Sequence, residues 1–116
     1  KYRKLGRTGV DVSELVFSCA ETAGLMTGGN YDNAREAVNG RLIGINWFDT
    51  SPSETGGEGE EILGRILKEL DAHPYISAKV EINQGAAEDI AGQVEHTLAQ
   101  TLKRLQIDRN DLFQLQ

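Results

Sequence analysis

Three scarcities in this chain each remove a class of function. Cysteine occurs once, as Cys19, so no disulfide can close within the chain. A reducing compartment, the cytoplasm, is therefore the expected setting. Positive charge is in deficit, with 12 Lys and Arg against 18 Asp and Glu and a net charge of −6. No basic stripe is left to follow a phosphate backbone, which argues against a nucleic-acid partner. No apolar run approaches the ~18 residues of a membrane span, and no cleavable signal is visible, so no membrane partner is expected. Repeats and low-complexity tracts are absent too. His73 and His96 have no metal-ligand spacing with each other or with Cys19, so both are expected on the surface and no metal is expected. The glycines at 56, 57 and 59 lack the Gly-Lys-Ser/Thr ending of a phosphate loop.

What the chain does contain is alternation. Its 116 residues suit one domain, residues 1–116, well short of the roughly 250 usual for a closed eight-stranded barrel of strands and helices. It starts at Lys1 rather than Met and stops at Gln116 as a strand finishes, so a piece of something longer is expected. Residues 2–9, with Gly6 and Gly9, read as a tight hairpin whose second arm comes from Val10-Asp11-Val12. Residues 15–20 form a first core strand. A helix spans residues 31–42, with Asn30 as N-cap and Ala34, Val38 and Leu42 on one face. Strands follow at 45–50, 75–80 and 112–115. Between them lie helices over 60–70, with a stripe of Ile62, Leu63, Ile66, Leu67 and Leu70, and over 87–105, with Ile90, Val94, Leu98, Leu102 and Leu105. A hairpin followed by β-α-β-α-β-α-β predicts an α/β fold with a parallel sheet and right-handed crossovers.

Three apolar runs end on chemistry. Residues 45–52 deliver Asp49, residues 76–80 deliver Lys79, and residues 111–116 end at Gln116. A buried strand of a barrel presents catalytic side chains to the rim in this way.

Four stretches in order resemble the aldo-keto reductase family. Tyr2-Arg3-Lys4-Leu5-Gly6-Arg7-Thr8-Gly9 with Val12-Ser13-Glu14-Leu15 is similar to the hairpin that plugs that family's barrel floor. Gly44-Ile45-Asn46-Trp47-Phe48-Asp49-Thr50 is similar to its Gly-Ile-Asn-x-Phe-Asp-Thr run. Glu60-Glu61-Ile62-Leu63-Gly64-Arg65-Ile66-Leu67 is similar to the start of its second helix. Leu102-Lys103-Arg104-Leu105 with Asp108 and Asp111-Leu112-Phe113-Gln114-Leu115 is similar to its third helix and fourth strand. The resemblance implies a partial (β/α)₈ TIM barrel: an N-terminal β-hairpin, about four parallel strands and three helices.

It also implies a chemistry. In that family a tyrosine protonates a carbonyl oxygen as hydride arrives from NADP(H), a lysine and an aspartate tune the tyrosine, and a histidine orients the substrate. Asp49 falls on the aspartate and Lys79 on the lysine. The tyrosine position is Glu54 and the histidine position is Gln116, and no tyrosine lies between residues 49 and 70. A phenol needs a neighbouring cation to serve as an acid near neutrality. A glutamate beside Lys79 is expected to stay a carboxylate and to donate nothing. Gln116 keeps a hydrogen-bonding amide but does not titrate. The family's cofactor contacts come mostly from the second half of the barrel, so no cofactor is expected for this chain alone and no reductase activity is expected of it.

Other readings stand beside this one. Asp49 and Lys79 also fit a structural salt bridge at the rim, and Glu54 fits a solvated loop carboxylate in a degenerate site. Alternatively Asp49, Glu54 and Lys79 serve a different chemistry, proton transfer or carbonyl activation with Lys79 as a Schiff-base amine. In a third reading the chain is a partial segment of an active oxidoreductase. Glu54, Glu58, Glu60 and Glu61 suggest a hard-cation site less than a solvated acidic loop whose last two members sit well at a helix N-terminus. Cys19 reads as a small buried residue rather than a nucleophile. Four parallel strands leave two open edges and an inner face, taken to include Val16, Phe48, Ile76 and Phe113 or their neighbours. Self-association or a complementary half-barrel chain is therefore the expected partner.

Overall fold

Two glycines at positive φ, Gly6 at 54° and Gly9 at 78°, reverse the chain between β1 (Tyr2–Lys4) and β2 (Asp11–Ser13). The computed structural model describes residues 1–19, 30–51 and 56–116, the side chains of 86–88 excepted. The expected hairpin is present, but the two glycines lie in its loop and the arms flank residues 5–10. Its register pairs Tyr2 with Ser13 and Lys4 with Asp11.

Four strands follow in a parallel sheet of order β3-β4-β5-β6: β3 (Phe17–Ser18), β4 (Trp47–Asp49), β5 (Tyr75–Val80) and β6 (Leu112–Leu115). The crossovers carry α1 (Tyr31–Arg41), α2 (Glu58–Leu70) and α3 (Ile90–Leu105). Asn30 caps α1 by accepting from the Asn33 amide at 3.1 Å, as the sequence predicts. The architecture is thus α/β, with four parallel strands and three helices.

Two elements differ from expectation. The first core strand pairs over only two residues, and its expected last position, 20, lies outside the described residues. Ser13 explains this: its hydroxyl donates to the Leu15 carbonyl at 2.6 Å, while its backbone amide donates to Asn46 Oδ1 at 2.7 Å. That tether holds Ser13 in the hairpin, where it pairs with Tyr2, and Leu15 is 70% exposed. The long third helix is split as well, because a 3₁₀ segment, Gln84–Asp89, precedes it. Asn83 caps that segment through the Gly85 amide at 2.9 Å and receives Gln93 Nε2 on its carbonyl at 3.4 Å. The buried line of α3 is Thr101 and Leu105, and Ile90 is half exposed.

The core lies between the sheet and the helices. Cys19, Ala34, Val38, Phe48, Leu63, Ile66, Leu67, Ile76 and Leu105 form it, with the Phe17 and Phe48 rings tilted 44° at 5.2 Å. Alternation along each strand then sorts the two faces. Phe48 and Ile76, paired across β4 and β5, face the helices, and Phe113 beside Ala78 shares that side. Of the residues named for the inner face only Val16 belongs there; in β4, β5 and β6 it is the neighbours of Phe48, Ile76 and Phe113 that do. Trp47, Asp49, Tyr75, Ser77, Lys79, Leu112 and Gln114 share Val16's side, and that face is largely polar.

Candidate active site

Parallel pairing sets Asp49 beside Ser77 and Lys79 beside Gln114, so β4, β5 and β6 deliver polar groups to one face at one end of the sheet. Asp49 closes β4. Its Oδ2 accepts from Lys79 Nζ, and its Oδ1 accepts from the Ser77 hydroxyl. Ser77 Oγ in turn accepts from Trp47 Nε1 at 2.9 Å. Lys79 Nζ also stands 3.5 Å from the Thr50 carbonyl. The pair is largely shielded, with Asp49 22% and Lys79 23% exposed. Both carboxylate oxygens have donors, so Asp49 is built to hold a cation in place.

Gln116 follows β6 at the same end. Its backbone amide donates to the Val80 carbonyl at 2.8 Å, and its side-chain Oε1 accepts from Ser51 Oγ at 3.2 Å. Of the four positions singled out from sequence, the structure brings Asp49 and Lys79 into contact and sets Gln116 at the same strand ends. Glu54 lies outside the described residues. The chain's three tyrosines are elsewhere. Tyr2 is on the hairpin, Tyr75 starts β5 at the end opposite Lys79, and Tyr31 donates to Glu69 beneath the Arg65 guanidinium, 4.0 Å above its ring.

Cys19 follows β3 behind this site. It is 1% exposed, and burial, then the charges of Asp49 and Glu60, push its thiol far above the ordinary range. That environment suits packing and opposes a thiolate nucleophile. His73 is exposed and sits 3.3 Å from Asp71; His96 is exposed on α3. Among the described residues no three His, Cys, Asp or Glu side chains are grouped to hold a metal. No helix among them is long and apolar enough to cross a membrane.

Sequence reasoning missed Ser77, Trp47 and Glu60. The first two were legible as residues two apart from Lys79 and Asp49 on alternating strands. Glu60 was read as a solvated first-turn acid, yet it is 1% exposed. The signal was its spacing: residues 60, 63, 64 and 67 line one helical face. Burial raises its carboxyl above the ordinary glutamate range, against smaller lowering by Thr101 and Arg104.

The profile of the Aldo/keto reductase family matches residues 22–116. The chain belongs to that family. L-galactose dehydrogenase of Arabidopsis thaliana is 33% identical over 115 residues, covering 96% of this chain and 36% of the dehydrogenase. An aldo-keto reductase from Bacillus halodurans, solved in its holo form, superposes with a TM-score of 0.78 at 29% identity, covering 99% of this chain and 39% of that one. An aldo-keto reductase from Klebsiella pneumoniae in complex with NADPH has a TM-score of 0.66 at 19% identity and shares the fold alone. The chain therefore spans well under half the length of these relatives. As a partial aldo-keto reductase barrel it accounts for the open sheet: β3 and β6 are its edges.

Proposed function

We propose that this chain supplies the aspartate–lysine part of an aldo-keto reductase site without its acid, and so does not itself reduce carbonyl compounds with NADP(H). One observation carries the reading: Asp49 and Lys79 hold each other at the strand ends, while position 54 is a glutamate and position 116 a glutamine. A carbonyl oxygen that gains hydride needs a proton donor, and an ionised carboxylate offers none. NADP(H) is the cofactor of a completed site, held mainly by residues that this chain does not contain.

The Schiff-base alternative loses support from the same geometry. An ammonium in contact with Asp49 and the Thr50 carbonyl has no free lone pair for a carbonyl carbon.

The partner is either a second copy or a chain that supplies the other strands. The sheet's two edges and the exposed Val16 on its inner face support this. Sedimentation is expected to show an assembly; a cooperative, well-behaved monomer counts heavily against it. The direct test of the missing acid is restoration. Glu54→Tyr with Gln116→His is expected to raise NADPH-linked reduction of small aldehydes in the assembled protein. No gain in an assembly that binds NADPH would overturn the reading.

A further inference from the structure

Glu60 occupies a place that a glutamate rarely fills. It lies in the first turn of α2 and is 1% exposed. Thr101 of α3, fully buried, donates its hydroxyl to Oε1 at 3.2 Å. Oε2 is buried with no hydrogen-bond partner. Arg104, one turn further along α3, holds Nη1 3.9 Å from Oε1 and donates through Nη2 to Gln100 at 3.3 Å. The same guanidinium lies over the turn before α2. A Cβ added at Gly57 would meet Arg104 Nε at 2.5 Å and Cζ at 2.6 Å, and Gly57 has φ of 90°. The N-terminal junction of α2 is therefore closed by three parts: a glycine with no room for a side chain, an arginine laid across it, and a buried acid beneath.

We propose that Glu60 is a positioning residue: with Thr101 and Arg104 it seats the Gly56-Gly57 turn on α3, and this seat is closed by a proton on Glu60 and loosened by its ionisation. The proposal extends the site reading in one respect, since position 54 lies just before this turn and Asp49 just behind Cys19. Catalysis plays no part in the test.

The sign follows from linkage. Closed, the carboxyl is dry and one oxygen is orphaned, so its proton is held more tightly than in water. Open, it meets solvent and returns to the ordinary value of 4.5. Protons therefore favour the closed turn, and opening grows as pH rises above 4.5 until the buried carboxyl is itself ionised. The charged and titratable groups facing Glu60 are Arg104 from α3 and Cys19 just after β3, whose thiol stays neutral; Glu58 and Glu61 on α2 are exposed.

The Glu61 amide reports on this turn, because it donates to the Gly57 carbonyl at 3.1 Å. Hydrogen exchange, corrected for its intrinsic pH dependence, is followed at Glu61 and at Ala78 in central β5 as a control. In the unaltered protein, protection at Glu61 is expected to fall several-fold from pH 4.5 upward while Ala78 does not follow. Glu60→Gln, a neutral isostere that can still bond Thr101, is expected to hold protection high and flat across pH. Arg104→Gln is expected to lower it at every pH and to steepen its fall. The same pH slope in Glu60→Gln as in the unaltered protein would overturn the proposal, as would Glu61 protection that Arg104→Gln leaves unchanged. Neither readout depends on aldehyde reduction, so this proposal and the reading of the strand-end site fail separately.

Discussion

The two faces of the β3-β6 sheet are built by different rules. The helix-facing side is apolar and closed at its centre: Phe48 and Ala78 are fully buried, as are Leu63 and Ile66 of α2, while Leu115 on the edge strand is exposed. The opposite side carries a polar chain, Trp47 to Ser77 to Asp49 to Lys79, in which each group is held by a directional bond. Stability resides on the first face, where burial is worth about 25 cal/mol per Å² of apolar surface. Geometry resides on the second. A one-residue shift along any strand would exchange the two roles, which is why the register of Phe48 with Ile76 matters to both.

That contrast can be broken from either side. The largest effect is expected at Phe48→Ala, a fully buried ring whose loss leaves a cavity and costs about 3–5 kcal/mol in urea denaturation. Val16→Ala on the other face, already 40% exposed, is expected to cost well under that. A comparable loss at both positions would mean the faces are misassigned. Gly64→Ala tests the helix layer more finely. Its Cβ would meet the Arg104 carbonyl at 2.5 Å and the Leu105 Cα at 2.6 Å, so α2 and α3 must separate, at about 1–3 kcal/mol.

On the polar face, Lys79→Met removes the donor to Asp49 Oδ2 and leaves that oxygen shielded without it; about 2 kcal/mol is expected from the melting midpoint. Ser77→Ala cuts the link between Trp47 and Asp49 at about 1 kcal/mol. Because the chain has a single tryptophan, its near-ultraviolet dichroism should change with that substitution and stay constant in Val16→Ala. The smallest effect belongs to the hairpin. Arg3–Glu14 and Lys4–Asp11 are exposed pairs, and breaking either should shift stability by less than about 1 kcal/mol, more weakly still in high salt.

Much of this was readable in the chain. The apolar runs ending at Asp49 and Lys79 gave the parallel strands, and Asn30 gave the start of α1. The four family-like stretches pointed to a barrel whose partial form the fold bears out. Three features escaped for physical reasons. The first strand is shortened by Ser13's bonds to Leu15 and Asn46, which are contacts between segments that no local pattern encodes. The sequence leaves the inward side of the strands open between Phe48, Ile76, Phe113 and their neighbours, because Trp47 and Phe48 are both apolar and only the Ser77 and Lys79 alternation in β5 separates the faces. Glu60 was taken as solvated because first-turn acids usually are, and its burial comes from the close approach of α3 at Gly64.

The most direct measurement is NADPH oxidation by the unaltered protein, supplied with small aldehydes across pH 5 to 9. No turnover above the uncatalysed rate is expected, because the Asp49–Lys79 pair has no phenol to serve. Steady turnover that Lys79→Met abolishes would contradict the account, since it would require an acid at the strand ends that the described residues do not provide.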